Sequence, residues 1–158
     1  MTDTIDAYLP RLPGLPDPDL DRQFYEGVPA KRLIAWGVDF LIVAAASLIV
    51  IPVLGVLTLG LGFFVAPAIY ATISFLYRVL TLTGRSATWG MRLMGIELRD
   101  ANGERFGFGM ALAHVGLYTL SLVLTIPLVV SGATVLATRY GQTLHDIVLR
   151  AAAIRTPA

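Results

Sequence analysis

The sequence predicts an all-α integral membrane protein. It reads as a helical hairpin followed by a third apolar segment broken by proline and glycine, with a small amphipathic β-hairpin-like element at the cytoplasmic face. Two observations predict this. Hydrophobic residues make up 56% of the 158 residues and charged residues only 15%, against about 25% charged in ordinary soluble domains. The charges are also segregated: residues 1–32 hold ten, 33–77 one, 78–105 eight, 106–138 none and 139–158 four. Two long apolar blocks between charged segments are the pattern of a chain that meets lipid.

Residues 1–29 contain five prolines and six acids, a composition that favours an extended or mobile tail on the cytoplasmic surface. The opening residues are acidic where a secretory signal would be basic, and no apolar stretch follows promptly. A single membrane domain is expected over 30–155.

The first uncharged run, Phe40 to Tyr77, has 38 residues. As one straight helix it would reach about 57 Å at 1.5 Å per residue, against a hydrocarbon thickness of about 30 Å. Two crossings fit better than one. Pro52, Gly55, Gly60 and Gly62 mark the break, giving helix 1 over about 32–53 and helix 2 over about 62–82. The second run, Phe106 to Thr138, has 33 residues and is interrupted by Pro127 and Gly132. It fits either one tilted crossing or two short helices in a re-entrant or paired arrangement. A re-entrant turn is tolerated only where protein or a cavity surrounds it.

Between the blocks, loop 83–105 carries an alternating Ile96-Glu97-Leu98-Arg99 strand signal and an Asn102-Gly103 turn signal. Residues Ile147–Arg150 and Ala153–Arg155 in the 139–158 tail would supply its second strand or a short interfacial helix. Trp89 fits an interfacial aromatic anchor. The bias of Lys31, Arg32, Arg78, Arg85, Arg92, Arg99 and Arg105 puts the N-terminus and this loop in the cytoplasm. The basic tail prefers the same side, which needs an even number of crossings.

Asp39 is the sharpest single observation, the only charge between Leu33 and Tyr77. A carboxylate at the centre of a membrane helix costs about 2.5–3.5 kcal/mol even on the translocon scale. It therefore faces the bundle interior and finds a partner. Arg32 lies two turns earlier on the same face, about 10 Å away along the axis, too far for direct pairing without an intervening polar group. Asp39 reads as either an ion-path carboxylate or a helix-packing clamp. His114 and His145 are accessory polar candidates, for proton relay or for packing. His145 and Asp146 are sequence neighbours and on a regular element point in different directions.

The chain has no cysteine and one lysine. It has no phosphate-binding loop, zinc-protease motif, nucleophile elbow or paired catalytic carboxylates. No catalytic residue, metal ligand set or cofactor is read from it, and an enzyme is not expected. The scattered bases do not make a nucleic-acid patch.

These residues resemble a known family. Ala30-Lys31-Arg32-Leu33-Ile34-Ala35-Trp36-Gly37-Val38-Asp39 is similar to the opening of the RDD family of bacterial membrane proteins. Gly84-Arg85-Ser86-Ala87-Thr88-Trp89-Gly90-Met91-Arg92-Leu93-Met94-Gly95 resembles its Gly-x-Thr-x-Gly-Lys-x-x-x-Gly signature. Gln142-Thr143-Leu144-His145-Asp146 resembles its closing Leu-His-Asp element. The likeness runs from about 28 to 155. It departs at Met91, where the signature has lysine, at Thr88-Trp89, where Thr-Pro is common, and at Arg150-Ala151-Ala152-Ala153, where Ala-Gly-Thr is usual.

The resemblance implies a multi-pass protein of the bacterial inner membrane, with Arg32, Asp39 and Asp146 as the family's arginine and two aspartates. With the tail back at the cytoplasmic face, it also implies that Asp146 meets Arg32 at the mouth of helix 1. Sodium/proton or small-solute transport through Asp39 is one functional expectation, requiring a homo-oligomer or partner membrane protein to enclose a path. The alternative is a non-catalytic adaptor or assembly subunit in which the three residues are structural.

Overall fold

The computed structural model describes residues 11–156, with the side chains of 125–128 excepted. A 3-10 turn at Arg22–Phe24 leads into α1 (Val28–Leu57), followed by α2 (Leu61–Phe64), α3 (Ala66–Leu82) and α4 (Trp89–Leu93). Then come β1 (Ile96–Asp100), α5 (Phe108–Val123), α6 (Thr125–Ala137), α7 (Leu144–Val148) and β2 (Ala151–Arg155).

α1 is longer than the sequence suggests. Pro52 lies inside it rather than ending it. A proline forfeits one backbone hydrogen bond and crowds the preceding turn, and the apolar run carries the helix one turn further. The stop is built at Thr58 and Gly60. The Thr58 hydroxyl donates to the Leu54 carbonyl at 2.6 Å and accepts from the Gly62 N–H at 2.7 Å. Gly60 has φ +98°, a conformation only glycine adopts freely. The expected helix 2 is two pieces, α2 and α3, meeting at Val65.

The segment 106–138 forms two helices, not one. The break is at Leu124, ahead of Pro127, which stands in the first turn of α6 where its missing N–H is least costly.

β1 and β2 pair antiparallel, with Ile96 opposite Arg155 and Asp100 opposite Ala151. This is not a hairpin: α5, α6 and α7 intervene. Nor does the pair alternate between faces. Ile96, Glu97 and Leu98 are all buried, as are Ala151 to Ile154, because other segments cover both sides. One cover is the N-terminal segment. Leu12 and Leu15 pack on Ala152, and the Gly14 N–H donates to the Ala101 carbonyl at 2.8 Å. Residues 11–27 are therefore docked against the sheet, which fits the extended rather than the mobile form of the expected surface tail. Residues 1–10 lie outside the described residues. Glu97, although it alternates with Ile96 and Leu98, is buried with them and held by Arg99 at 2.5 Å and Arg105 at 3.6 Å.

The main core gathers Val28 and Ala35 of α1, Val79 and Leu82 of α3, Met91, Ile96, Leu98, Phe106, Ala111, Val115, Ala151 and Ala153. It sits where the start of α1, the end of α3 and the sheet converge. Further along α1 the pattern inverts: Leu41, Leu48, Ile49 and Val56 are exposed while Asp39 and Ser47 are buried. Among the described residues, the helical stretch Arg22–Leu57 is long and apolar enough to cross a membrane.

Phe106 is 1% exposed, and Phe108, two residues on, is 61% exposed. Phe106→Ala should destabilise the protein by ~3–5 kcal/mol, read as thermal unfolding in detergent, and Phe108→Ala should leave the midpoint nearly unchanged. Equal shifts would place the core elsewhere.

Candidate functional site

Two buried carboxylates organise the polar interior. Asp39, 2% exposed, projects from a point about three turns into α1 toward the start of α4. Its Oδ1 accepts from the Tyr77 hydroxyl at 2.7 Å and the Gly90 N–H at 2.9 Å, and its Oδ2 accepts from the Thr88 hydroxyl at 2.7 Å. Arg78 Nη1 stands 3.8 Å from Oδ2. The first N–H groups of a helix lack intrahelical acceptors, so the carboxylate supplies one that α4 needs. Thr88, the N-cap of α4, also accepts from the Met91 N–H.

Gly90 permits this approach. A Cβ there would lie 2.2 Å from the Ala35 carbonyl oxygen and 2.8 Å from Asp39 Oδ1. Only a residue without a side chain lets α4 touch α1 so closely.

Asp146 is fully buried. Its Oδ2 accepts from Arg32 Nη1 at 2.6 Å and from the Thr143 N–H at 2.9 Å. Its Oδ1 lies 2.8 Å from His114 Nε2. Arg32 also reaches Thr143 Oγ1 and the Gly141 carbonyl, both at 3.4 Å. Burial alone would raise the Asp146 carboxyl, but Arg32 and the His114 ring overcome this and hold it well below the usual carboxylate range.

His145 stands edge-on to His114 with ring centroids 4.6 Å apart, and to Tyr118 at 5.9 Å. Although its neighbour Asp146 was expected to point elsewhere, both side chains enter the same buried cluster. Burial pushes the His145 imidazole down to about 3, so it is neutral. Its Nδ1 has no hydrogen-bond partner among the described residues.

The two carboxylate centres are joined through Arg78, whose guanidinium lies 4.5 Å over the Tyr118 ring. The Tyr118 hydroxyl in turn accepts from the Trp36 indole at 2.9 Å. Thus Arg32 pairs with Asp146, Asp39 takes Arg78 as its cation, and Arg32 does not bridge to Asp39.

Residues 27–150 match the RDD family. The chain belongs to the RDD family. No curated protein and no solved structure matches it.

Within this RDD chain, sequence reasoning missed Tyr77, Arg78, Thr88 and Gly90 as the shell of Asp39. Thr88 and Gly90 stood in a recognisable Thr-x-Gly pattern, but nothing in the spacing tied that pattern to Asp39. It also missed Gln142, whose amide donates to the Ala151 carbonyl at 2.6 Å, and Ser131, which accepts the Leu144 N–H at 3.0 Å. Together they fasten the closing segment to β2 and α6.

Removing one partner of a buried ion pair leaves a charge uncompensated and costs ~3–5 kcal/mol. Arg32→Ala and Asp146→Asn should each lower stability by that order, and the double variant should lose clearly less than the sum. Additive losses in a detergent unfolding cycle would mean the two do not act as a pair. Separately, Gly90→Ala should destabilise more than Gly37→Ala, where a Cβ meets nothing within 4 Å; equal effects would contradict the α1–α4 contact.

Proposed function

We propose that this RDD-family chain is a multi-pass membrane protein that serves as a non-catalytic assembly unit, and that Arg32, Asp39 and Asp146 are structural clamps. The observation that carries this is saturation. Asp39 has three donors and a nearby guanidinium, and Asp146 has a guanidinium, a backbone N–H and an imidazole. A coupling carboxylate must exchange ligands during a cycle. These two are committed to holding α4 and α7 against α1.

The inverted surface supports membrane embedding. Leu48 is 77% exposed and Val56 74%, and so large an apolar face on a soluble monomer would be unusual. α1, at 30 residues, reaches about 45 Å, enough to cross with tilt. The lysine and arginine bias supports a cytoplasmic N-terminus. Trp89 and Leu93 on the exposed side of α4 suit a helix lying at the interface. The exposed faces would contact lipid and a partner membrane protein.

Reconstitution tests this. Proteoliposomes holding the intact chain should show sodium and proton flux no greater than empty liposomes. Cross-linking in native membranes should join the chain to a different membrane protein. Sodium-dependent proton flux that disappears in a folded Asp39→Asn variant would overturn the structural reading. Cross-links confined to copies of the chain would overturn the partner.

A further inference from the structure

Three buried groups are drawn together, and one of them, His145, has a buried nitrogen without a hydrogen-bond partner among the described residues. His114 comes from α5, and His145 and Asp146 come from α7. One donor atom from each lies within 4.8 Å of the others. The Asp146 oxygen and His114 Nε2 are 2.8 Å apart, and the two rings are nearly perpendicular at 83°. All three residues are buried, with 0–7% exposure.

We propose that His114, His145 and Asp146 form a binding site for a divalent transition metal of the zinc type, with one nitrogen from each imidazole and Asp146 Oδ1 as ligands.

In a tetrahedral site with bonds near 2.0–2.2 Å, donor atoms sit roughly 3.4 Å apart. The widest separation here closes by a small swing of one imidazole, and the 2.8 Å pair opens slightly. Three protein ligands leave a fourth position for water, the arrangement of open rather than closed zinc sites.

The carboxylate is already oriented for this role. Its Oδ2 is anchored by Arg32 and the Thr143 N–H, while Oδ1 faces His114. Anchoring the second oxygen of a ligating carboxylate is what outer-shell partners do. On the other side, the buried His145 Nδ1 lacks a hydrogen-bond partner among the described residues. Buried polar atoms in folded proteins nearly always have one.

The charges around the cluster select the class of ion. Arg32 touches Asp146, and Arg78 stacks on Tyr118 beside His145. Two guanidinium groups oppose a cation held only by charge, such as sodium or magnesium. Imidazole pairs suit zinc, cobalt, nickel or copper, whose bonds to nitrogen are stronger. A bound ion would tie α7 to α5 from the side opposite Arg32. This inference does not depend on the assembly reading, since a metal would be bound whether or not the chain carries flux.

The chain has two histidines and no cysteine, so any imidazole-ligated metal reports on this cluster. The full chain, purified in detergent on a tag without histidine, would be equilibrated with zinc, dialysed and analysed for metal by mass spectrometry. About one zinc per chain is expected. Cobalt substitution should give the visible spectrum of a four-coordinate site, and X-ray absorption of the zinc protein should show two imidazoles. His145→Ala should weaken zinc about 10–100-fold or more while circular dichroism remains helical. Should that variant unfold, the two-imidazole signature in the wild-type protein carries the test alone. Sub-stoichiometric zinc after dialysis, a metal shell without imidazole, or unchanged affinity in a folded His145→Ala would overturn the site.

Discussion

Everything else in the molecule hangs on where Asp146 goes. It is a carboxylate with no solvent exposure, near the end of the chain, and its strongest partner is Arg32, near the start of the longest helix. An ion pair of this kind brings little net stability, because desolvation consumes most of the attraction. What it supplies is selection among arrangements. If α7 docked anywhere other than against the start of α1, the carboxylate would be buried without its cation. The pair therefore fixes the position of α7. β2 follows after two residues, so its register against β1 is fixed too. The N-terminal segment then has a surface on which Leu12 and Leu15 can pack.

Asp39 works by the same logic with a different partner set. Its donors come from α3 and from the cap of α4, so it ties the helical pair to the segment leading into β1. Gly90 is the steric condition for this contact. Arg78 then faces Asp39 on one side and the Tyr118 ring on the other. The ring adjoins His145, so the two clamps are contiguous. Two arginines and two aspartates leave this interior without net formal charge, which suits a low-dielectric setting.

The sequence made some of this legible for definite reasons. A lone Asp39 in an apolar run must be partnered, whatever the fold, because the cost of leaving it bare is too large. The strand at Ile96–Asp100 was visible because it alternates locally. The pairing of Asp39 with Arg78 was not visible, and that of Arg32 with Asp146 was implied only by the family resemblance, not by spacing. Arg32 and Asp39 share a helix face, so spacing alone couples them weakly, whereas the partner that Arg32 adopts lies 114 positions away. Such a contact is decided by the path of every intervening helix. α1 runs past Pro52 because its stop is a turn built from Thr58 and Gly60, a weaker signal in the sequence than a proline. The burial of Glu97 was hidden because its cover comes from residues distant in sequence. The histidine cluster was hidden for the same reason: its ligand spacing is spatial, not sequential.

The clamp also constrains passage through a bilayer. On the membrane reading, α1 leaves from the side where Arg32 sits and α3 returns to it, since Tyr77 near the end of α3 meets Asp39 near the start of α1. α5 and α6 must then bring Asp146 back to within 2.6 Å of Arg32. A single full crossing would leave the two on opposite faces, about 30 Å apart. With 16 and 13 residues, these helices measure about 24 Å and 20 Å. Each is short of the hydrocarbon thickness, and they reverse at Leu124. A pair that enters and returns satisfies both the lengths and the ion pair. Unpaired backbone at its turn would be tolerated only where protein or a water-lined cavity shields it, which gives an assembly partner a physical reason to cover that end of the molecule.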